Sequence, residues 1–147
     1  MDNTLRMIGL ALKAGRLEPG EDPAGDACQG KRCRLLLAAR DAAEGSRRRA
    51  ARFAEEGQCL LAELPYSKAE LGEALGRSSC ALAAVTDLGL AQAIAGKLAQ
   101  ADPEKYGGMA ERLRVKAERA AQRREKTAKE KQQRSGGKRP PIKYKKK

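Results

Sequence analysis

With 147 residues, 41% of them apolar, the chain supports one domain of ordinary size and an appendage. It carries 31 Lys and Arg against 19 Asp and Glu, a net charge of +12, and the excess lies at one end: residues 1–103 hold 14 basic and 14 acidic side chains, residues 104–147 hold 17 and 5. A neutral globule with a polybasic tail suits a polyanion, because each cation that neutralises a phosphate releases condensed counterions. An anionic membrane surface would attract the tail too, but no apolar run approaches ~18 residues, and the segment after Met1 lacks a signal peptide's basic start and cleavage site. The protein is therefore expected in the cytoplasm, as a monomer that does not contact a membrane.

In chain order, Asn3 or Thr4 can cap a first helix in which Leu5, Ile8 and Leu12 recur at helical spacing, and Gly15 suits the left-handed residue that ends it. Leu17-Glu18-Pro19 is too short and too close to proline for more than an edge strand. Gly20 permits a tight turn, Asp22 can cap the next helix with Pro23 at its first position, and Gly25 and Gly30 limit that helix to about two turns. Leu35-Leu36-Leu37-Ala38-Ala39 reads as a strand buried on both faces. Asp41-Ala42-Ala43-Glu44 has the form of a capping box, opening a helix with Ala50, Phe53 and Ala54 on one face and an end at Gly57. Residues 59–62 repeat the strand signal, Ser67-Lys68-Ala69-Glu70 is a second capping box for a helix ending at Gly76, and residues 80–85 form a third buried strand. Asp87 caps the last core helix, whose stripe is Leu90, Ala93, Ile94, Ala95 and Leu98.

This alternation predicts a three-layer α/β/α sandwich with a mixed sheet of about four strands over residues 1–101. Asp102-Pro103 and Gly107-Gly108 read as a linker. Residues 102–147 are then a basic tail, helical over 109–133 and disordered from Ser135 onward. The four cysteines, Cys28, Cys33, Cys59 and Cys80, include no Cys-x-x-Cys pair and there is no His, so zinc is not expected and small buried hydrophobes in a reduced compartment are. Four aromatic residues, Phe53, Tyr66, Tyr106 and Tyr144, are too few to stack single strands, which leaves RNA shape and backbone as what is read.

Several strings, taken together, resemble the kink-turn RNA-binding family of ribosomal protein L-seven-Ae, in its bacterial YlxQ-type branch. They are Leu10-Ala-Leu-Lys-Ala-Gly-Arg-Leu17, Gly20-Glu21-Asp22, Leu35-Leu-Leu-Ala-Ala-Arg-Asp41, Glu44-Gly-Ser-Arg-Arg-Arg49, Leu71-Gly72 through Gly76, and Val85-Thr86-Asp87-Leu88-Gly89. In that family the turn into the second helix reads sheared G·A pairs through a Gly, an Asn-Glu pair and a Lys. Those positions correspond here to Gly20, Asp22, Pro23 and Asp26, of which Pro23 and Asp26 depart from the pattern. The resemblance implies further contacts from the loop Gly76-Arg77-Ser78-Ser79 and from the basic start of the third helix at Gly45-Ser46-Arg47-Arg48-Arg49. It also implies a basic rim of Arg16, Lys31, Arg32 and Arg34 on turns near the same edge.

The expected RNA-binding residues are thus Arg16, Gly20, Glu21, Asp22, Lys31, Arg32, Arg47, Arg48, Gly76, Arg77 and Ser78. Helix capping by Asp22 and Pro23, and a solvated face for Arg47, Arg48, Arg49 and Arg52, are the plainer readings of the same residues. The implied function is non-catalytic binding of structured, kink-turn-like or ribosomal RNA by a ribosomal-protein-like chain, with the tail adding non-specific phosphate contacts and no cofactor or metal. Two alternatives stand beside it. Asp41 and Thr86-Asp87, if they end parallel strands, could form a magnesium or phosphoryl-accepting site like that of receiver domains. The chain could also be a protein-interaction module of the translation machinery whose tail binds an acidic partner. Nucleophilic catalysis has neither a His base nor a Gly-x-Ser-x-Gly elbow to work with.

Overall fold

Two of the three continuous apolar runs take the centre of the sheet, where both faces of a strand are covered, whereas the third, residues 59–62, expected to be buried as well, lies on an edge strand with Leu61 39% exposed. In the computed structural model, which describes residues 2–138, the central two are β2 (Leu35–Ala38) and β4 (Leu82–Val85), buried at every position. β1 (Leu17–Pro19) and β3 (Leu60–Glu63) form the edges, and the order is β1-β4-β2-β3. β4 runs antiparallel to both β1 and β2, whereas β2 and β3 are parallel.

Six helices are present among the described residues: α1 (Asn3–Lys13), α2 (Glu21–Gln29), α3 (Glu44–Gly57), α4 (Lys68–Ala74), α5 (Leu88–Ala101) and α6 (Pro103–Lys138). The alternation of side chains along each strand sorts them into two cores. Leu35, Leu37, Ala83 and Val85 pack with Leu5, Ile8, Leu71, Ile94 and Leu98 of α1, α4 and α5. Leu36, Ala38, Leu82 and Ala84 pack with Ala24, Ala27, Cys28 and Ala50 of α2 and α3. Helices therefore cover both faces of a mixed four-stranded sheet, and none of the described helices is long and apolar enough to cross a membrane.

Several starts and stops differ from the sequence expectation. α1 is capped by Asp2, whose Oδ1 accepts the Leu5 amide at 2.9 Å, so Asn3 and Thr4 lie inside the helix. α2 starts earlier than expected: Gly20 is its N-cap, with φ +101°, and Asp22 and Pro23 fall in its first turn. Proline is tolerated there because first-turn amides have no partner within the helix. Asp41 does not cap α3; its carboxylate accepts the Lys68 amide at 2.7 Å, and the N-cap is Ala43. On α5, Ala91 is buried and Ala93 exposed, while Asp87 caps it as expected, accepting the Leu90 amide at 2.8 Å. The capping box at Ser67 and Glu70 is formed.

The expected linker is helix. α6 begins at Pro103, and Tyr106 and Leu113 are buried in the core with α5 and α1. Glycine costs about 1 kcal/mol in a helix, whereas burying a leucine alone contributes about 1.5–3 kcal/mol, so Gly107-Gly108 does not break it. The first compact unit accordingly runs Met1–Leu113 and the second Arg114–Lys147. Helix continues past Ser135 to Lys138, where disorder is expected; the remaining tail, 139–147, lies outside the described residues.

Candidate functional site

Strand direction divides the loops between two edges of the sheet. At one edge β1, β2 and β3 end and β4 begins; at the other β4 ends and β1, β2 and β3 begin. The first edge carries an open cleft of roughly 630 Å³ between the starts of α2 and α3 and the loop after α4, with Gly20, Glu21, Asp22, Ser46, Arg49, Lys68, Arg77 and Ser79 in its walls.

Each wall is held by a specific local device. Gly20 donates its amide to the Leu82 carbonyl at 2.8 Å, which pins the start of α2 to β4. A side chain at Gly20 would be strained by its φ and would approach Arg77 Nη1 within 3.5 Å, so the guanidinium lies beside the turn. The loop bearing Arg77 is seated on Gly72 of α4: the Arg77 amide donates to the Gly72 carbonyl at 2.9 Å, and a Cβ on Gly72 would come within 2.6 Å of Ser79 Cα. Glu21 is consumed inside the chain. One of its oxygens accepts from Ser46 Oγ at 2.8 Å and the other from Arg49 Nη1 at 2.9 Å, fixing α2 to α3. So exposed a pair adds about 0–1 kcal/mol, and its main consequence is to position Arg49.

The capping pattern separates this edge from the rest of the molecule. α1, α4 and α5 each have a side-chain cap, from Asp2, Ser67 and Asp87, whereas α2 and α3 have none. The two uncapped N-termini are the two that open onto the cleft, where Gly20 and Ala43 both lie. Their first-turn amides carry partial positive charge and Lys68 and Arg77 add full charges around them, while Arg49 is balanced by Glu21 and Asp22 contributes a carboxylate. Such a surface suits phosphate oxygens and the polar edges of bases.

Of the residues expected from the sequence, Gly20, Glu21, Asp22 and Arg77 line the cleft, and the exposed Gly76 and Ser78 flank Arg77 in its loop. Arg48 is exposed on the first turns of α3. Arg47 is tied down instead, to Glu63 at 2.5 Å and to the carbonyls of Ala42 and Arg40. The rim expected from Arg16, Lys31, Arg32 and Arg34 is at the other edge. Arg16 precedes β1, Arg34 precedes β2, and the Lys31-Arg32 turn follows α2 at the end away from Gly20. Antiparallel β4 also separates the two aspartates of the receiver-like alternative, since Asp41 follows β2 at the first edge and Asp87 follows β4 at the second. Ser46, Arg49 and Ser79, from the two further segments that the resemblance implies, also line the cleft, whereas Lys68 was not expected there and reaches it only because parallel pairing of β3 with β2 brings the start of α4 to that edge.

No family model matches the chain, and no curated protein is similar to it. Among solved structures, a protein of unknown function from Bacillus halodurans C superposes with a TM-score of 0.60 at 23% identity, covering 65% of this chain and 96% of its own. That likeness concerns the fold.

Proposed function

We propose that the chain is a non-catalytic RNA-binding protein of the L-seven-Ae-like kink-turn type, acting in the cytoplasm on structured RNA of the ribosomal kind. The observation that carries this reading is the pairing of two uncapped helix N-termini with Lys68 and Arg77 around one open cleft. An open, rigid, polar surface of this kind meets a folded backbone along its length, whereas small-molecule sites are enclosed and mostly apolar. Phosphates would take the free amides and cations, and the exposed Asp22 carboxylate would accept hydrogen bonds from guanine amino or imino groups. The tail supplies sequence-independent affinity: residues 114–147 hold 15 basic and 3 acidic side chains, while residues 1–113 are charge-balanced at 16 and 16.

The test compares binding of the full chain to a kink-turn hairpin and to a straight duplex of equal length across a salt series. Preference for the kinked RNA, removed by Asp22→Ala while binding to the duplex persists, supports the reading. Equal loss on both RNAs from Asp22→Ala contradicts base reading. Failure to bind either RNA at low salt overturns the proposal in favour of a protein partner.

A further inference from the structure

Three cysteines that are far apart in sequence meet at the sheet edge opposite the cleft. The sulfurs of Cys28, Cys33 and Cys59 all lie within 4.8 Å of one another, with Cys28 and Cys59 at 4.0 Å. We propose that these three thiols form a zinc site, with the fourth coordination position open toward solvent beside the half-buried Cys59. Sequence spacing conceals it, because the cysteines come from three different segments: the end of α2, the turn before β2 and the turn before β3.

The geometry is close to what the ion requires. Zinc–sulfur bonds of about 2.3 Å in a tetrahedron place sulfurs about 3.8 Å apart, so closure needs shifts of less than about 1 Å. Two turns deliver the thiols, and each uses a strained residue. Among the described residues only Lys31 and Gln58 are non-glycines with positive φ, at 60° and 53°. Lys31 reverses the chain after Gly30, with Arg32 and Cys33 both donating to the Ala27 carbonyl at 2.9 and 3.2 Å, which returns Cys33 to Cys28. Gln58 does the same after α3, and the Cys59 amide then donates to the Ala54 carbonyl at 3.0 Å. Gly57 allows the two helix ends to meet: a Cβ there would come within 3.1 Å of the Cys28 Cα. Left-handed strain in residues with side chains is concentrated where geometry serves a function.

The position of the three sulfurs argues against a reactive thiol. Nucleophilic and redox cysteines sit at helix N-termini, where the thiolate is stabilised. Here the C-terminal ends of α2 and α3 converge, and their carbonyls disfavour a free thiolate. On binding, zinc displaces three thiol protons to solvent and forms three zinc–sulfur bonds, with no change of oxidation state. The site then carries one net negative charge, beside Lys31, Arg32 and Arg34 of the same turn. The ion would clasp the far ends of the two helices whose N-termini open the cleft, and the inference stands whether or not that cleft binds RNA.

The test uses the full chain, purified reduced and freed of metal by a chelator, then titrated with cobalt(II) and zinc. One equivalent of cobalt should produce a thiolate-to-cobalt charge-transfer band in the near ultraviolet, which one equivalent of zinc bleaches. Native mass spectrometry should show one zinc gained and three protons lost. Cys28→Ser, Cys33→Ser and Cys59→Ser should each weaken zinc binding by more than about 100-fold, the upper range for losing a mere supporting partner of a ligand. Cys80→Ser, at the opposite edge, should retain the band. In the unaltered chain zinc should also protect Cys59 from alkylation, a readout that does not depend on how any variant folds. Absence of the band, no protection of Cys59, or an intact band in Cys33→Ser would overturn the proposal.

Discussion

Gly72 shows how a single side chain reaches the cleft without touching a ligand. A methyl group there would meet Ser79 Cα at 2.6 Å and its amide nitrogen at 2.8 Å, and backbone atoms cannot swing aside as the end of a flexible side chain can. Gly72→Ala is therefore expected to cost about 1–3 kcal/mol, as overpacking does, and to displace the Arg77 loop. Urea unfolding would register the first effect and RNA titration the second. Tyr66 gives a pH-dependent counterpart. Burial, followed by its hydrogen bond with Asp2, pushes its hydroxyl up to about 12 from an ordinary value near 10. The unfolded chain thus loses this proton first, and the contribution of Tyr66 is fully present below pH 10 and is lost as pH rises toward 12. Tyr66→Phe should flatten the alkaline fall in stability measured over that window; an unchanged fall would show that other groups cause it.

Among whole helices, the contrast between capped and uncapped starts links stability to binding. A cap on α3 would satisfy one of the amides that the proposed function assigns to phosphate. Ala43→Ser should therefore raise stability by about 0.5–2 kcal/mol and at the same time weaken binding of structured RNA. Opposite signs in thermal melting and in RNA affinity are the expected result. A stabilised variant with undiminished affinity would remove the α3 amides from the interface. The sequence Asp41-Ala-Ala-Glu44 looked like a capping box because its spacing is right, yet tertiary structure diverts Asp41 to the amide of Lys68, 27 residues on. Local spacing records which hydrogen bonds a carboxylate can make, and the fold decides among them.

For the molecule as a whole, the place where charge begins and the place where the core ends do not coincide with the expected linker. Tyr106 and Leu113 are buried, so cutting at 101 would strip side chains from the core, and a loss like that of a buried leucine costs about 2–5 kcal/mol. A chain ending at Leu113 keeps the first compact unit and discards 15 of the 31 basic residues. It should melt near the temperature of the full chain, bind every RNA more weakly by a similar factor, and show a shallower dependence of log affinity on log salt. If truncation instead removed only the preference for kinked RNA, the tail would have to be a specific reader.

Much of the layout was legible in sequence because it depends on local chemistry. Continuous apolar runs marked β2, β3 and β4 as strands without telling the edge strand β3 from the two central ones, Gly15 and Gly76 marked helix ends through their positive φ, and Ser67 with Glu70 and Asp87 marked two helix starts. The asymmetry of charge was equally plain. What sequence could not supply was which edge of the sheet each loop reaches, since strand direction depends on pairing between residues 25 to 68 apart. Antiparallel β4 sent Arg16, Lys31, Arg32 and Asp87 to one edge and left Gly20, Asp22, Lys68 and Arg77 at the other. The same folding gathered Cys28, Cys33 and Cys59 from positions that no spacing rule connects. Composition and periodicity are properties of neighbours along the chain, whereas a site is a property of neighbours in space, and only the long-range pairing of the sheet converts one into the other.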